Sequence, residues 1–257
     1  MDKKEDWPIS GINISVSKID ILDDYKNYSG SATGFFFRHG DRKYLITNRH
    51  VVIDEKDNFF PKFLKLTLHS SKSNFKLNNN LYIRLYHDSH KTWYEHSNYS
   101  TKLIDVVVIP LDERTIENID NFNQSIINFF TIDNFINDYQ ISTFADVLVI
   151  GYPLGFSDDI NNLPVYRKGM IASSFPVEFR NYPYFLIDSN LHEGTSGSPV
   201  LNSSNNMLID SQGRGLHSDK AILLGIHSAE HIVDDEPLGL CVVWYPKVII
   251  EMIEQNE

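Results

Sequence analysis

The sequence predicts an all-β protein made of two small antiparallel β-barrels, followed by a short helix. Short runs rich in β-branched and aromatic residues dominate the 257-residue chain, and turn residues separate them. An Asn- and Asp-rich segment at about 112–142 divides these runs into two sets. Helical patterns do not alternate with the strands, which argues against a doubly wound parallel sheet. We therefore divide the chain into a first half at 1–125, a second half at 126–245 and a helix at 246–257.

The first set of strands begins with a hairpin. The runs SATGFFFRHG and RKYLITNRHVVI meet at an HGDR turn. The next two runs, KFLKLTLHS and LYIRLYH, alternate apolar and polar residues, a pattern typical of half-buried strands. The run LIDVVVIPL then predicts a nearly continuous apolar strand that ends at Pro110.

The second set contains six runs and ends with the helix. The predicted strands are DVLVIGYPLG, VYRKGMIASSF, YFLIDSN, SPVLNS, AILLGIHSA and GLCVVWYP. The last stretch, PKVIIEMIEQ, has apolar residues at helical spacing: Val248, Ile249, Met252 and Ile253. A proline suits the first turn of such a helix.

Composition and charge argue against several classes of partner. The net charge is -11, so the chain has little electrostatic reason to bind nucleic acid. No apolar run approaches the roughly 18 to 20 residues that cross a bilayer. The single cysteine, Cys241, excludes an internal disulfide, and the first residues lack the apolar stretch of a secretory signal. We therefore expect a cytoplasmic protein with neither nucleic acid nor a membrane as partner.

The stretch HEGTSGSPVL, at residues 192–201, has two interpretations. It is either a Gly/Ser surface turn or a tight loop that presents Ser196 as a nucleophile. A serine hydroxyl needs an adjacent base and a third group that orients the base. His50 ends a buried run in YLITNRHVV and is the candidate base. Asp105 opens the apolar strand of LIDVVVIPL, where a carboxylate is costly unless it is hydrogen-bonded, and it is the candidate orienting group.

The motifs LITNRHVV, DVVVIPL and GTSGSPV occur in the order His, Asp, Ser, which resembles the chymotrypsin-like serine peptidases. The similarity is greatest to disulfide-free bacterial trypsin-like peptidases, including the high-temperature-requirement and glutamyl endopeptidase groups. GYPLG and RKGMIAS also resemble segments of these enzymes, and the resemblance extends from about Ser29 to the terminal helix. It implies a chymotrypsin-like fold, in which each of the two antiparallel β-barrels has six strands, and no cofactor. It also implies that Ser196 is the nucleophile, His50 the general base and then acid, and Asp105 the carboxylate that fixes the imidazole tautomer.

The same resemblance explains the glycines around the serine. The backbone N–H groups of Gly194 and Ser196 would form the oxyanion hole, and Gly197 would allow close packing behind the nucleophile. In many relatives the residue before the serine is an aspartate that pairs with a new N-terminus after cleavage. Here that residue is Thr195, so we expect the chain to act without N-terminal processing.

The resemblance also assigns a substrate pocket. Its predicted lining is Asn190, Leu191, Glu193, His227, Ser228, Ala229 and Glu230. Asn190 matches the pocket-floor position at which Arg- or Lys-selective relatives carry an acid. His227 matches a position at which glutamyl endopeptidases receive an acidic side chain, and an imidazolium there would attract a carboxylate. We predict acidic or uncharged polar residues on the acyl side of the scissile bond; the alternative is a core histidine beneath a pocket for small or apolar residues.

Other arrangements of residues give weaker predictions. HDSH and HSAEH lack the H-E-x-x-H order, so no metal site is expected. The chain ends soon after the second set of strands, so we expect no appended peptide-binding domain, and regulation by a protein partner, by oligomerisation or by loop ordering. The predicted function is a serine endopeptidase acting on proteins or peptides through an acyl-enzyme. A catalytically silent peptide-binding module and an esterase with the same triad are the alternatives.

Overall fold

The structure is a computed structural model that describes residues 11–136, 139–141, 144–216, 220–234 and 236–256. Residues 1–10, where the sequence predicts no secretory signal, lie outside these ranges.

The first half contains a seven-stranded antiparallel sheet and three short helices. Its strands are β1 Val16–Leu22, β2 Tyr28–His39, β3 Arg42–Thr47, β4 Phe63–His69, β5 Asn78–Arg84, β6 Tyr86–His87, β7 His90–Lys91, β8 Tyr94–Glu95 and β9 Val107–Pro110. Its helices are α1 Arg49–Val52, α2 Tyr99–Lys102 and α3 Ile119–Asn123. The order across the sheet is β5-β4-β1-β2-β3-β9-β8, and β6 pairs with β7 separately. The predicted β2–β3 hairpin is confirmed, with His39 opposite Arg42.

The predicted closure of the first barrel is not confirmed: its named strands form a seven-stranded sheet, and the ladders between described residues leave that sheet open. Strand β1 and the two-residue strands β7 and β8 lie outside the predicted runs. The outer edge of β5 is covered by an irregular segment that follows β9: the N–H of Arg84 donates to the Thr115 carbonyl at 2.7 Å, and the N–H of Glu117 donates to the Tyr82 carbonyl at 3.0 Å. The opposite edge strand, β8, is only two residues long. An isolated antiparallel bridge between Ile83 and Ile116 joins the same segment to β5, so β5 contacts the continuation of β9 and not β8.

The second half contains the closed barrel that the sequence predicts. Its elements are β10 Gln140–Ile141, β11 Asp146–Gly151, β12 Val165–Ile171, β13 Tyr184–Asp188, β14 Pro199–Asn202, β15 Leu208–Ile209, β16 Gly215–Leu216, β17 Leu223–Val233 and β18 Glu236–Trp244. Six of these strands close in the order β11-β12-β13-β18-β17-β14, and each corresponds to one predicted run. Each half has its own apolar core.

A third apolar cluster joins the two halves and the terminal helix. Helix α4 (Lys247–Asn256) buries the four residues that define its predicted apolar stripe: Val248, Ile249, Met252 and Ile253. They pack in one cluster with residues of both halves, such as Phe37 of β2 and Trp244 of β18. The loops of both halves that carry the candidate catalytic residues are thus held in a fixed relation. The predicted boundary between residues 125 and 126 stays a prediction; the N–H of Ile126 still donates to the carbonyl of His69 in the first half, at 2.7 Å.

Candidate functional site

The turn that carries His50 is anchored by its two preceding residues. Strand β3 ends at Thr47, and His50 lies in the single turn of α1. The Asn48 side chain donates to the carbonyl of Asp105 at 2.6 Å. The buried Arg49 guanidinium makes two hydrogen bonds to Glu55, at 2.8 and 2.6 Å, which lower the pKa of Glu55 to about 2. The guanidinium also lies 3.9 Å from the ring centre of Tyr99, so the turn has little freedom to move.

The Asp105 carboxylate accepts three hydrogen bonds. Its Oδ2 lies 2.7 Å from His50 Nδ1 and accepts the Ser228 hydroxyl at 2.6 Å. Its Oδ1 accepts the backbone N–H of His50 at 3.0 Å. A carboxylate can only accept, so the Nδ1 that faces it carries the proton and the lone pair of Nε2 is left for another partner. This is the tautomer that a general base requires.

The pKa values of the pair move in opposite directions. Burial alone would raise the pKa of Asp105, but the charge of His50 and the three hydrogen bonds hold it below its usual value. Burial alone would lower the pKa of His50, but the Asp105 carboxylate raises it above its usual value of about 6.5. The imidazolium that forms when His50 accepts a proton is therefore stabilised.

Ser196 lies in a tight loop that we call the nucleophile loop, residues 192–197. Gly194 and Gly197 have φ values of +86° and +84°. A Cβ on Gly194 would lie 2.6 Å from the Tyr152 carbonyl oxygen, and one on Gly197 would lie 2.1 Å from that of Thr33. Only glycine fits at either position. The predicted interpretation of the glycines as sites of close packing is consistent with these distances.

The backbone of the nucleophile loop is held by hydrogen bonds to four successive carbonyls. The Glu193 carbonyl accepts the Leu154 N–H at 2.6 Å, and the Gly194 carbonyl accepts the Thr33 hydroxyl at 2.8 Å. The next carbonyl, of residue 195, accepts His227 Nδ1 at 3.0 Å, and that of residue 196 accepts the Thr33 N–H at 2.9 Å. The C=O and N–H of a trans peptide point in opposite directions, so the N–H groups of residues 194 and 196 point away from these partners. No hydrogen bond between described residues uses either N–H. They are free to receive a ligand oxygen.

His50 and Ser196 line one cleft of about 220 Å³. The Ser196 hydroxyl donates to the Ser228 carbonyl at 3.2 Å. No hydrogen bond joins Ser196 to His50 within the described ranges. The remaining lining residues are Leu191, His192, Glu193, His227, Ser228, Ala229, Glu230 and Cys241. The predicted pocket residues thus come together here, with the exception of Asn190.

Asn190 is exposed and lies outside the cleft lining, contrary to its predicted place in the pocket. The preceding residue, Ser189, takes the buried position, where its hydroxyl donates to the Lys168 carbonyl at 3.1 Å. Asn190 is therefore turned outward, and its carbonyl accepts from Arg167 at 2.5 Å. His192 and Cys241 line the cleft without having been predicted.

His227 is buried beneath the cleft and is not an imidazolium at neutral pH. Burial lowers its pKa to about 4. Its Nδ1 donates to the Thr195 carbonyl, and its buried Nε2 has no hydrogen-bond partner among the described residues. The expectation that a charged His227 attracts a carboxylate is thus wrong, because the cost of desolvation removes the charge. The carboxylate of Glu230, whose Oε1 accepts the Gly239 N–H at 2.9 Å, also lines the cleft.

Two hydroxyl groups of the site have roles that the sequence does not predict. Ser228 is predicted to line the pocket, but not to donate to Asp105, and no role is predicted for Thr33. The signal in both cases is a small polar residue inside an apolar strand, because a buried hydroxyl needs a partner. The partner itself cannot be predicted from the sequence, because it lies more than a hundred residues away along the chain in each case.

The described residues contain neither a group of metal ligands nor a membrane-spanning helix. No group of three or more His, Cys, Asp or Glu side chains is placed to hold a metal ion in these ranges. No helix of the described chain is long and apolar enough to span a membrane.

Thr195 gives a prediction about activation. Its buried hydroxyl donates to the His192 carbonyl at 2.6 Å, so no charge at this position awaits a new N-terminal amine. We expect the uncleaved chain to be active. Intact-mass spectrometry of protein labelled by a serine-directed fluorophosphonate would show the label on the full-length mass. Label found only on shortened chains would contradict this expectation.

A closed antiparallel barrel and a glycine-flanked serine beside a His–Asp pair define a class, the serine endopeptidases of chymotrypsin-like fold. The family model of the trypsin-like peptidase domain matches residues 32–209, more than half of the chain. The chain belongs to this family and is a serine endopeptidase, a hydrolase. Comparison with curated proteins gives no match.

Solved structures of similar fold are serine proteases or proteases by their descriptions. A thermostable serine protease from an extremophilic microorganism matches with a TM-score of 0.58 at 10% identity, over 96% of this chain and 98% of its own. The protease Anisep from Arthrobacter nicotinovorans matches with a TM-score of 0.57 at 10% identity, over 94% of each chain. The serine endoprotease from Yersinia pestis matches with a TM-score of 0.54 at 15% identity, over 97% of this chain and 67% of its own. At these identities the likeness is one of fold.

Proposed function

We propose that the protein cleaves peptide bonds through Ser196, His50 and Asp105, with an acyl-enzyme intermediate. One observation supports this most directly: His50, which makes two hydrogen bonds to Asp105, shares a cleft with Ser196, and the backbone N–H groups of residues 194 and 196 are free. This is the arrangement of nucleophile, base, orienting group and oxyanion donors that acyl transfer needs.

In the proposed first step, Ser196 Oγ attacks the scissile carbonyl while His50 Nε2 accepts its proton. The carbonyl oxygen gains negative charge and binds the N–H groups of residues 194 and 196. The imidazolium then protonates the leaving amine, and the acyl group stays on Ser196. Water attacks the ester in the same way, with His50 again as base. The Ser196 hydroxyl has to leave the Ser228 carbonyl for His50 when substrate binds; catalytic hydrogen bonds of this kind often tighten only in the complex.

Substrate binding is proposed to use the exposed backbone of β17. The edge of β17 that faces away from β18 pairs with β14 up to Ile226, and the last backbone bonds on that edge join His227 to Gly197 and Ser198, so the edge beyond His227 has no partner strand among the described residues. An extended peptide could add to this segment as a further strand, which gives affinity through backbone hydrogen bonds. The substrate would then be any protein or peptide segment that can extend, rather than a folded surface.

We propose that the pocket prefers an uncharged side chain that carries a hydrogen-bond donor, such as Gln or Asn, on the acyl side of the bond. Neutral His227 offers the unpartnered Nε2 as an acceptor. Glu193 and Glu230 line the same cleft and repel a carboxylate. The sequence predicts acidic or uncharged polar residues at this position; the proposal keeps the uncharged polar residues and gives up the acidic ones.

His227→Asn is expected to weaken that preference. The shorter amide can still donate to the Thr195 carbonyl but does not reach where Nε2 lies, so the deep acceptor is lost. A peptide library with varied acyl-side residues would measure the ratio of kcat/KM for Gln over Leu. We expect this ratio to fall about two- to tenfold, since one buried hydrogen bond contributes about 0.5–1.5 kcal/mol. An unchanged ratio, or a preference for Glu in the unsubstituted enzyme, would contradict the proposal.

Labelling with a serine-directed fluorophosphonate, followed by proteome-wide profiling of cleavage sites, tests the proposed function. We expect labelling at Ser196 that is lost in Ser196→Ala, together with cleavage of peptide bonds. Labelling with hydrolysis of small esters only would favour the esterase. Peptide binding without labelling would favour a silent binding module.

We further propose that the enzyme acts in the cytoplasm and that a regulatory protein partner sets its activity. The single cysteine, which excludes an internal disulfide, supports the location. Fractionation of cells that produce the labelled enzyme would test the location. To test the partner, purified enzyme is mixed with an extract of the cells that produce it. We expect its activity to rise, and the rise to be lost when the extract is first digested by a protease.

A further inference from the structure

Thr33 belongs to β2 of the first half, yet it contacts the nucleophile loop of the second half. Its hydroxyl donates to the Gly194 carbonyl at 2.8 Å and accepts the Tyr152 N–H at 3.0 Å. Its backbone N–H donates to the Ser196 carbonyl at 2.9 Å. The residue is 0% exposed, so water cannot replace any of these partners. One residue therefore fixes two of the four carbonyls of the loop.

The surroundings of Thr33 leave no space for an alternative arrangement. A Cβ on Gly151 would lie 2.8 Å from the Thr33 hydroxyl, and a Cβ on Gly197 would lie 2.1 Å from the Thr33 carbonyl oxygen. The Thr33 carbonyl is itself held by the Thr47 hydroxyl at 2.8 Å. The position of the Thr33 side chain thus follows from the close contact between the two halves.

The Gly194 carbonyl is the important partner. It belongs to the peptide between residues 194 and 195, which lies between the two N–H groups of the oxyanion hole. This peptide links the two flanking peptides that carry the N–H groups, so its orientation fixes ψ of Gly194 and φ of Thr195, and with them the angle between the two N–H directions. Catalysis by such donors depends on their being fixed before the negative charge develops.

We propose that Thr33 is a positioning residue of the oxyanion hole: its hydroxyl holds the Gly194–Thr195 peptide so that the N–H groups of residues 194 and 196 converge. Thr33 does not touch the substrate. Through this bond, the docking of the first half on the barrel sets the geometry of the hole.

Thr33→Val tests the proposal because valine keeps the shape and removes the hydroxyl. We expect kcat to fall about tenfold or more, with KM changed less than about threefold, since loss of one oxyanion donor costs about 10²–10³ and a misplaced donor costs less. The affinity of a peptide aldehyde, whose hemiacetal oxygen occupies the hole, should fall by the same factor as kcat. The affinity of the matching peptide alcohol should not change. Thr33→Ser, which keeps the hydroxyl, should restore both values.

Thr115→Val is the matched control. The Thr115 hydroxyl is also buried, donates to the Pro110 carbonyl at 2.6 Å and accepts the Asp112 N–H at 3.1 Å, but it lies away from the cleft. We expect a similar loss of thermal stability with unchanged kcat and aldehyde affinity. If Thr33→Val fails to fold, Thr33→Cys replaces it, because cysteine is similar in size to threonine and its thiol is only a weak hydrogen-bond donor. This variant is assayed below its melting temperature.

The inference rests on the proposed function, and the two can fail separately. An unsubstituted enzyme that is not labelled by fluorophosphonate contradicts the proposed function. An active enzyme in which Thr33→Val keeps kcat and aldehyde affinity within twofold contradicts the role of Thr33. Equal losses in Thr33→Val and Thr115→Val would also overturn it, because both would then reflect stability alone.

Discussion

Ser196→Ala is expected to lower kcat by at least about 10⁴-fold while the fold remains intact. The substitution removes the proposed nucleophile, and loss of one member of a cooperating triad costs nearly as much as loss of all three. Among the described residues the Ser196 hydroxyl makes one hydrogen bond, to the Ser228 carbonyl at 3.2 Å, so the loss of stability should be small. Turnover of a peptide substrate and thermal unfolding would be measured on the same samples.

Ser198→Ala is the control for this experiment. It makes the same chemical change two residues away, and the buried Ser198 hydroxyl has no hydrogen-bond partner among the described residues. Activity should persist. His50→Ala should match Ser196→Ala, and the double variant should be no slower than either, since the two residues act as a unit. Retention of more than about a tenth of turnover in Ser196→Ala would exclude Ser196 as the nucleophile, since triad losses are normally far larger.

Asp105→Asn is expected to give the second-largest loss, about 10⁴-fold in kcat, because an amide can stabilise the wrong tautomer of His50. It should also change the pH profile. The rate falls on the acidic side when His50 becomes protonated, and the Asp105 carboxylate is what raises the pKa of His50. Without it, burial dominates and lowers that pKa, so the acidic limb of kcat/KM should move to lower pH.

Ser228→Ala separates the charge of Asp105 from its hydrogen bonds. This variant keeps the carboxylate and removes only the 2.6 Å bond from the Ser228 hydroxyl. We expect a much smaller loss of kcat than in Asp105→Asn. The acidic limb of kcat/KM should lie at a higher pH than in Asp105→Asn. An acidic limb in Asp105→Asn that coincides with that of the unsubstituted enzyme would show that Asp105 does not set the pKa of His50.

The sequence by itself determined the strands of the second half, the terminal helix and the residue types of the site. All six strands of the closed barrel correspond to predicted runs, and α4 buries the predicted residues Val248, Ile249, Met252 and Ile253. These features follow from periodicity and turn chemistry, which depend on neighbours along the chain. The glycines at 194 and 197 belong to the same group, because their backbone conformation is local.

The tertiary structure alone decided which segment covers the edge of the first sheet, the charge of His227 and the contacts of Thr33. The edge of β5 is covered by residues 115–117, far from it in the sequence. His227 is neutral because the fold buries it, and no local pattern states the depth of burial. Thr33 reaches Gly194 across 161 residues. Each of these features depends on which distant groups share a dry interior, where desolvation and unpaired polar atoms cost the most free energy.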